Sequence, residues 1–322
     1  MKNVLSRLKG RSLNKLLRAA VIAALAVIFF SCAAIPEKAE MWSGAELLPE
    51  AVNIVISTRV EGNLELIQPV LEVMADSIPS EMSEDFLERT SVIWAGLELI
   101  DGSDGKFRNS IAAEGDYPKG LIEWGLCWNA DWKKEKFNPI PGGNFEMVYW
   151  DDEKSGNQIA LPASDYMLAS SGAMEEMLTS WAGGAVPSGR EWIDAEAASD
   201  VTIMTKGLSQ EEYSRFVPEL KKVPIESLIL FMKRSGDDYL ISGTFHMDSP
   251  GNAFLFAAIF RTLIVTAKTP EGKRQFTNLK EIKIEKNNND VVLEGMRLPA
   301  ETVAAIEREW LILAGVNLGT KL

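Results

Sequence analysis

The chain is poor in the residues that most often build reactive centres: its 322 residues include one histidine and two cysteines. A single imidazole excludes a histidine-based zinc site and leaves one possible base for any Ser-His or Cys-His mechanism. There is no G-x-S-x-G elbow, no H-E-x-x-H and no C-x-x-C. The loop Pro141-Gly-Gly-Asn144 lacks the Lys-Ser/Thr that would complete a phosphate cradle. Long apolar runs are scarce too. The clearest, Ala19–Phe30, falls short of the roughly 20 residues that span a bilayer as a helix. No reaction, cofactor or metal is written in this sequence.

What is present describes an ordinary folded protein, 46% hydrophobic and 25% charged, long enough for about two domains. Its net charge of −13 conceals a polarity. Residues 1–31 carry Lys2, Arg7, Lys9, Arg11, Lys15 and Arg18 and no acid, so the remainder has 33 − 6 = 27 basic against 46 acidic residues, or −19. That excludes nucleic acid as a partner, because phosphate contacts need clustered Lys and Arg. It also opposes general adsorption to anionic lipid, although a local apolar patch can still insert.

The first 31 residues read as an export signal: a basic region to Arg18, the apolar run to Phe30, then Ser31-Cys32-Ala33-Ala34. A small residue before a cysteine at this place resembles the lipobox of bacterial lipoproteins. Phe29 and Phe30 depart from the usual Leu and small residue upstream, a looseness similar to that of spirochaetal lipoproteins. The resemblance implies that Cys32 is lipidated on its sulfur (palmitate) and becomes the mature N-terminus. Plain secretion or an uncleaved anchor is the alternative. Ala33 in place of Asp favours, by the same resemblance, the outer membrane or its periplasmic face. With Cys32 acylated, Cys127 has no partner. Its setting, Leu121-Ile-Glu-Trp-Gly-Leu-Cys-Trp128, predicts a packed thiol acting as a small hydrophobe.

Residues 32–50 read as a tether. Beyond them the chain runs through one structural pattern twice. Val52–Ser57 alternates like a half-buried strand, and so does Val201–Thr205, 201 − 52 = 149 positions later; Pro69 and Pro218 share that offset. A hairpin over Ser91–Ile100 and Lys106–Glu114 matches one over Ser227–Arg234 and Tyr239–His246. Asp116-Tyr-Pro118 and Asp248-Ser-Pro250 then open apolar helices, proline being tolerated in a first turn. Phe145–Trp150 with Gln158–Pro162 matches Glu281–Lys286 with Val291–Met296, and each copy closes in a helix near Trp181 or Trp310. The expected fold is therefore α+β: two tandem β-α-β-β-α-β-β-α units, residues 51–182 and 200–322, mostly antiparallel with helices on one sheet face, joined by a linker at 183–199. The units either share one sheet or face each other across a cleft.

The two helices after the prolines carry the distinctive surface chemistry. Leu121, Trp124, Trp128 and Trp132 fall at i, i+3, i+7 and i+11, one stripe of a helix. Such a stripe suits either the core beneath it or a membrane interface, where the indole's apolar ring and N–H match the headgroup boundary. In Ala253–Lys268 only Arg261 interrupts the uncharged residues before Lys268. A helix apolar nearly all round is buried on several sides or inserted in lipid, and about 24 Å is too short to span. Trp124, Trp128, Trp132, Phe254, Phe256 and Phe260 are the candidate lipid contacts.

Titratable clusters give less. His246 and Asp248 share a strand face, and Asp151-Asp152-Glu153 and Asp237-Asp238 lie in expected hairpin turns, where Asp is favoured for backbone hydrogen bonding. Neither acidic group has the spacing of a calcium loop. These features describe a non-enzymatic, membrane-tethered envelope lipoprotein touching lipid through apolar helices, weakly resembling treponemal outer-membrane-associated lipoproteins. An interaction or scaffold lipoprotein binding another envelope protein is the first alternative, and a cryptic hydrolase using carboxylates or His246 the second.

Overall fold

In the computed structural model the described residues are 41, 43–67, 80–100, 107–140, 145–184, 189–210, 213, 223–267, 276 and 278–305. Twelve strands form one antiparallel sheet in the order β11-β12-β10-β9-β8-β1-β2-β3-β7-β6-β5-β4. They are β1 Ile54–Arg59, β2 Thr90–Leu99, β3 Phe107–Gly115, β4 Trp132–Phe137, β5 Met147–Asp152, β6 Asn157–Ala163, β7 Tyr166–Ser170, β8 Val201–Lys206, β9 Ile225–Ser235, β10 Asp238–Met247, β11 Lys283–Asn287 and β12 Asp290–Pro299. The protein is α+β, as its alternating and helical stretches predict.

The 149-residue offset has a physical meaning at the centre of the sheet. β1 and β8 are antiparallel neighbours, and Val55 pairs with Met204, with 204 − 55 = 149. The flanking pairs Ile54↔Thr205 and Ile56↔Ile203 interconvert under the same shift. A pseudo-twofold axis therefore passes through the Val55/Met204 pair, perpendicular to the sheet, and the two copies fuse into one sheet. Each of these strands is also bracketed at its start by a side chain, though not at equivalent positions, since 200 − 53 = 147. Asn53 Oδ1 accepts from the Leu99 N–H at 2.8 Å, and Asp200 Oδ2 from the Arg234 N–H at 2.7 Å.

Beyond the axis the copies differ. β7 lies beside β3 as β12 lies beside β10, so β6–β7 is the counterpart of β11–β12. This corrects the expected match of β5–β6 to β11–β12: the first copy holds an additional hairpin, β4–β5, at its outer edge. The hairpin turns are chemically legible. β9 and β10 join through Gly236-Asp237, with Gly236 at φ +68°, a conformation open to glycine in the tightest hairpins.

A rotation about the sheet normal preserves faces, so equivalent helices lie on one side. The front face carries α1 (Ser80–Arg89), α2 (Lys119–Trp128) and α5 (Pro250–Thr266). Under α2, Leu126, Tyr117, Trp150, Ile111 and Ile159 form one core cluster; under α5, Phe256, Ala253, Ile264, Phe245 and Leu293 form another. The back face is covered over the first copy by a 3₁₀ turn (Gly44–Leu47) and α3 (Met174–Thr179), and over the central strands, β8 and β9 included, by α4 (Arg190–Ala198), around Leu47, Trp94, Met177 and Trp192.

Two stretches expected to be connectors thus build core. The end of the 32–50 stretch folds in because Ser43 caps the 3₁₀ turn, accepting from the Ala45 N–H, and Leu47 is fully buried. The 183–199 linker contains α4, because Trp192 and Ala195 give it a sheet-facing side.

Candidate functional site

Helix α2 has its apolar residues on the wrong side for a simple core helix. It enters from Pro118 and ends at Asn129, whose side-chain oxygen accepts from the Asp131 N–H at 3.0 Å and turns the chain into β4. Leu126 is its buried residue and Ile122 packs partly on the same cluster. Leu121, Trp124 and Trp128 point outward, 65%, 59% and 75% exposed, and the two indoles lie 5.7 Å apart at a tilt. Gly120 and Gly125 border them with open space. Indoles exposed at i and i+4 form an apolar surface patch that the core of the first copy does not use.

Trp132 does not extend this stripe. The helix ends before it, and it begins β4, half-buried against the front-face core. Cys127 is exposed on α2 rather than packed, which corrects the expectation of a core thiol.

Helix α5 starts where Ser249 Oγ accepts from the Asn252 N–H, with Pro250 in the first turn. Its inner face is the core of the second copy. Phe256 is fully buried and stacks on Phe260 at 5.4 Å, and both contact Phe245. Phe256 therefore has no surface to offer lipid, and half-buried Phe260 is mainly a packing residue. Phe254, Leu255 and Val265 remain outward at 67%, 42% and 54% exposure. Leu121, Leu255 and Val265 were not among the candidate contacts. Arg261 was the available signal: Phe254, Ala258, Arg261 and Val265 share one side, and the single charge marks it as the outer one. No helix among the described residues is long and apolar enough to cross a membrane.

No family model matches the chain, and no curated protein matches it in sequence. Solved structures do. Crystal form III of TP0453, a treponemal lipoprotein, superposes with a TM-score of 0.55 over 82% of this chain and 97% of that one, at 12% identity. This chain has the TP0453 fold. Crystal form I gives 0.54 over 83% and 97%, and form IV 0.54 over 81% and 94%, each at 12% identity. Identity this low carries the architecture and no residue role.

On that architecture the titratable candidates stand apart from the exposed helices. His246 Nδ1 lies 2.7 Å from Asp290 Oδ1, and its Nε2 lies 3.4 Å from Glu226 Oε2. The Asp290 hydrogen bond, reinforced by the neighbouring carboxylates, raises the imidazole pKa above its ordinary value. Asp248 instead accepts from Asn252 Nδ2 at 2.6 Å at the start of α5. Asp152 ends β5 and caps the turn that follows, accepting from Ser155 Oγ and the Lys154 N–H, which lower its pKa. No group of three or more potential metal ligands occurs among the described residues. Cys32 lies outside the described residues.

Proposed function

We propose that the protein is a non-enzymatic lipoprotein of the bacterial envelope, anchored through Cys32, that contacts lipid with the outer faces of α2 and α5. The observation that carries this reading is that one sheet face bears two helices with exposed apolar sides, Leu121, Trp124 and Trp128 on α2 over one end of the sheet and Phe254, Leu255 and Val265 on α5 over the other. α5 has 17 residues, about 25 Å, and buries one side on the sheet, which suits lying in an interface and not spanning it. Lys119, Glu123 and Arg261 are the charges on these helices, so the contact is with acyl chains and the headgroup boundary more than with anionic headgroups. The TP0453 fold supports an envelope setting.

An interaction role through a sheet edge is less well supported. The outer strands, β4 and β11, carry Lys133, Lys134, Lys136, Lys283 and Lys286, a charge pattern that blunts strand addition.

A chain beginning at Ala33, without the lipid, is floated with phosphatidylcholine vesicles. It should rise with the vesicles in 0.5 M salt about as well as at low salt. Changing Trp124, Trp128 and Phe254 to Ser should cut the bound fraction several-fold. An environment-sensitive fluorophore on Cys127 should blue-shift on vesicle addition. Equal flotation of the two chains, or none by either, refutes the lipid contact.

A further inference from the structure

On the back face, away from the apolar helices, a cavity of about 440 Å³ opens between the sheet, Met41, Ser43 and Gly44, and α4. Its floor is two cross-strand rows. Arg59 pairs with Val92, Val92 with Glu114 and Glu114 with Tyr166; the next row is Ser57, Trp94 and Ala112. Strands lie about 4.8 Å apart, so Arg59 and Glu114 stand roughly 10 Å apart across the small Val92, which leaves the depression between them. Glu196 reaches down from α4. Its Oε1 accepts from Ser57 Oγ at 2.6 Å and from the Trp94 indole N–H. Glu114 Oε2 accepts from Tyr166 OH at 3.3 Å. Arg59 donates from Nε to the Ser199 carbonyl at 3.2 Å, at the exposed mouth.

The charges here are unbalanced. Among the described residues neither Glu114 nor Glu196 is in a salt bridge with a Lys or Arg, and Arg59 has no carboxylate partner. Two carboxylates held only by neutral donors leave excess negative charge at the cavity that a cationic ligand would neutralise. The walls are preformed: Gly44 lies flat on the Trp94 ring, where a Cβ would come within 2.4 Å, and Trp192 Nε1 donates to Ser43 Oγ at 3.1 Å. The lining reads −2 and +1. We infer that this cavity binds a basic α-amino acid, a ligand of +2 and −1. Arg59 takes the carboxylate, Glu196 the α-ammonium beneath α4, and Glu114 the side-chain ammonium across Val92. The volume suits such a ligand.

The test is calorimetric titration of the full chain in detergent micelles with L-lysine, with 1,5-diaminopentane and 6-aminohexanoate as analogues lacking one charged group each. One site per chain is expected for L-lysine, with each analogue weakened at least about tenfold, the usual scale for a lost charge-assisted contact. Glu196→Gln and Glu114→Gln should each weaken L-lysine by a similar factor, with an unchanged far-ultraviolet circular dichroism spectrum. No heat at millimolar L-lysine refutes the site. Equal binding of the diamine assigns it to amines in general and overturns the amino-acid reading. If either Gln variant fails to fold, the analogue series on the unaltered chain decides alone.

Discussion

α2 and α5 are the same helix twice, placed on one sheet face by a pseudo-twofold and entered through a proline, yet they use their apolar residues differently. α5 spends Phe256, Ala253, Ala257 and Ile264 on the core and leaves a second apolar side out. α2 spends Leu126 and leaves two tryptophans out. The first copy can spare α2's large side chains because its front-face core is already filled from the sheet by Trp150, Ile159 and Met167, and from α1 by Phe86 stacked on Tyr117. In the second copy the sheet offers Phe245, and α5's Phe256 and Phe260 pack on it. Equivalent backbones thus do not imply equivalent anchoring: α5 is structural with an exposed apolar outer side, and α2 is chiefly surface.

The largest effect that separates them is on stability. Phe256→Ala should destabilise the chain by about 3–5 kcal/mol, the cost of a cavity at a fully buried aromatic, while Trp124→Ala should stay within about 0.5 kcal/mol. Denaturant midpoints compare the two; similar losses would mean that α2 is as deeply anchored as α5. A smaller difference lies at the helix starts. Ser249→Ala removes the α5 cap and should cost about 1 kcal/mol, whereas Pro118→Ala at α2 removes no side-chain cap bond. Thermal melts of the pair test this, and an equal loss from Pro118→Ala would show that the two starts are built alike.

The smallest effect concerns the back face, where His246 on β10 is partly exposed. A histidine whose folded pKa is raised stabilises the fold fully below its unfolded pKa, near 6.5, and that contribution is lost as pH rises through the folded value. His246 is 44% exposed, so solvent screening keeps the term small. The stability difference between the unaltered chain and His246→Asn should shrink between pH 6 and 8.5. A difference that grows over that range contradicts the Asp290 pairing.

Several features were legible because they depend on local pattern. The strand at Val52–Ser57 and its echo 149 residues later needed only alternation, and the two proline helices needed only a polar residue, a proline and an apolar run. Other features needed neighbours distant in sequence. Trp132 fitted the α2 stripe by spacing, but Asn129 ends the helix with a side-chain turn that periodicity does not see. Phe256 and Phe254 are two residues apart in one apolar run and differ from 0% to 67% exposure, a distinction set by Phe245 beneath one of them. The cavity at Glu196 was invisible, since Ser57 and Glu196 lie 139 residues apart.

By itself the sequence determined the class of the protein: an acidic α+β chain that runs through one structural pattern twice. Those properties follow from composition and from periods of two and 3.6 residues, which are local. The tertiary structure alone decided that the copies share one sheet, which sides of α2 and α5 face out, and which charges meet across the back face. Burial and pairing are set by strands that approach from more than a hundred residues away, and no local pattern encodes that approach.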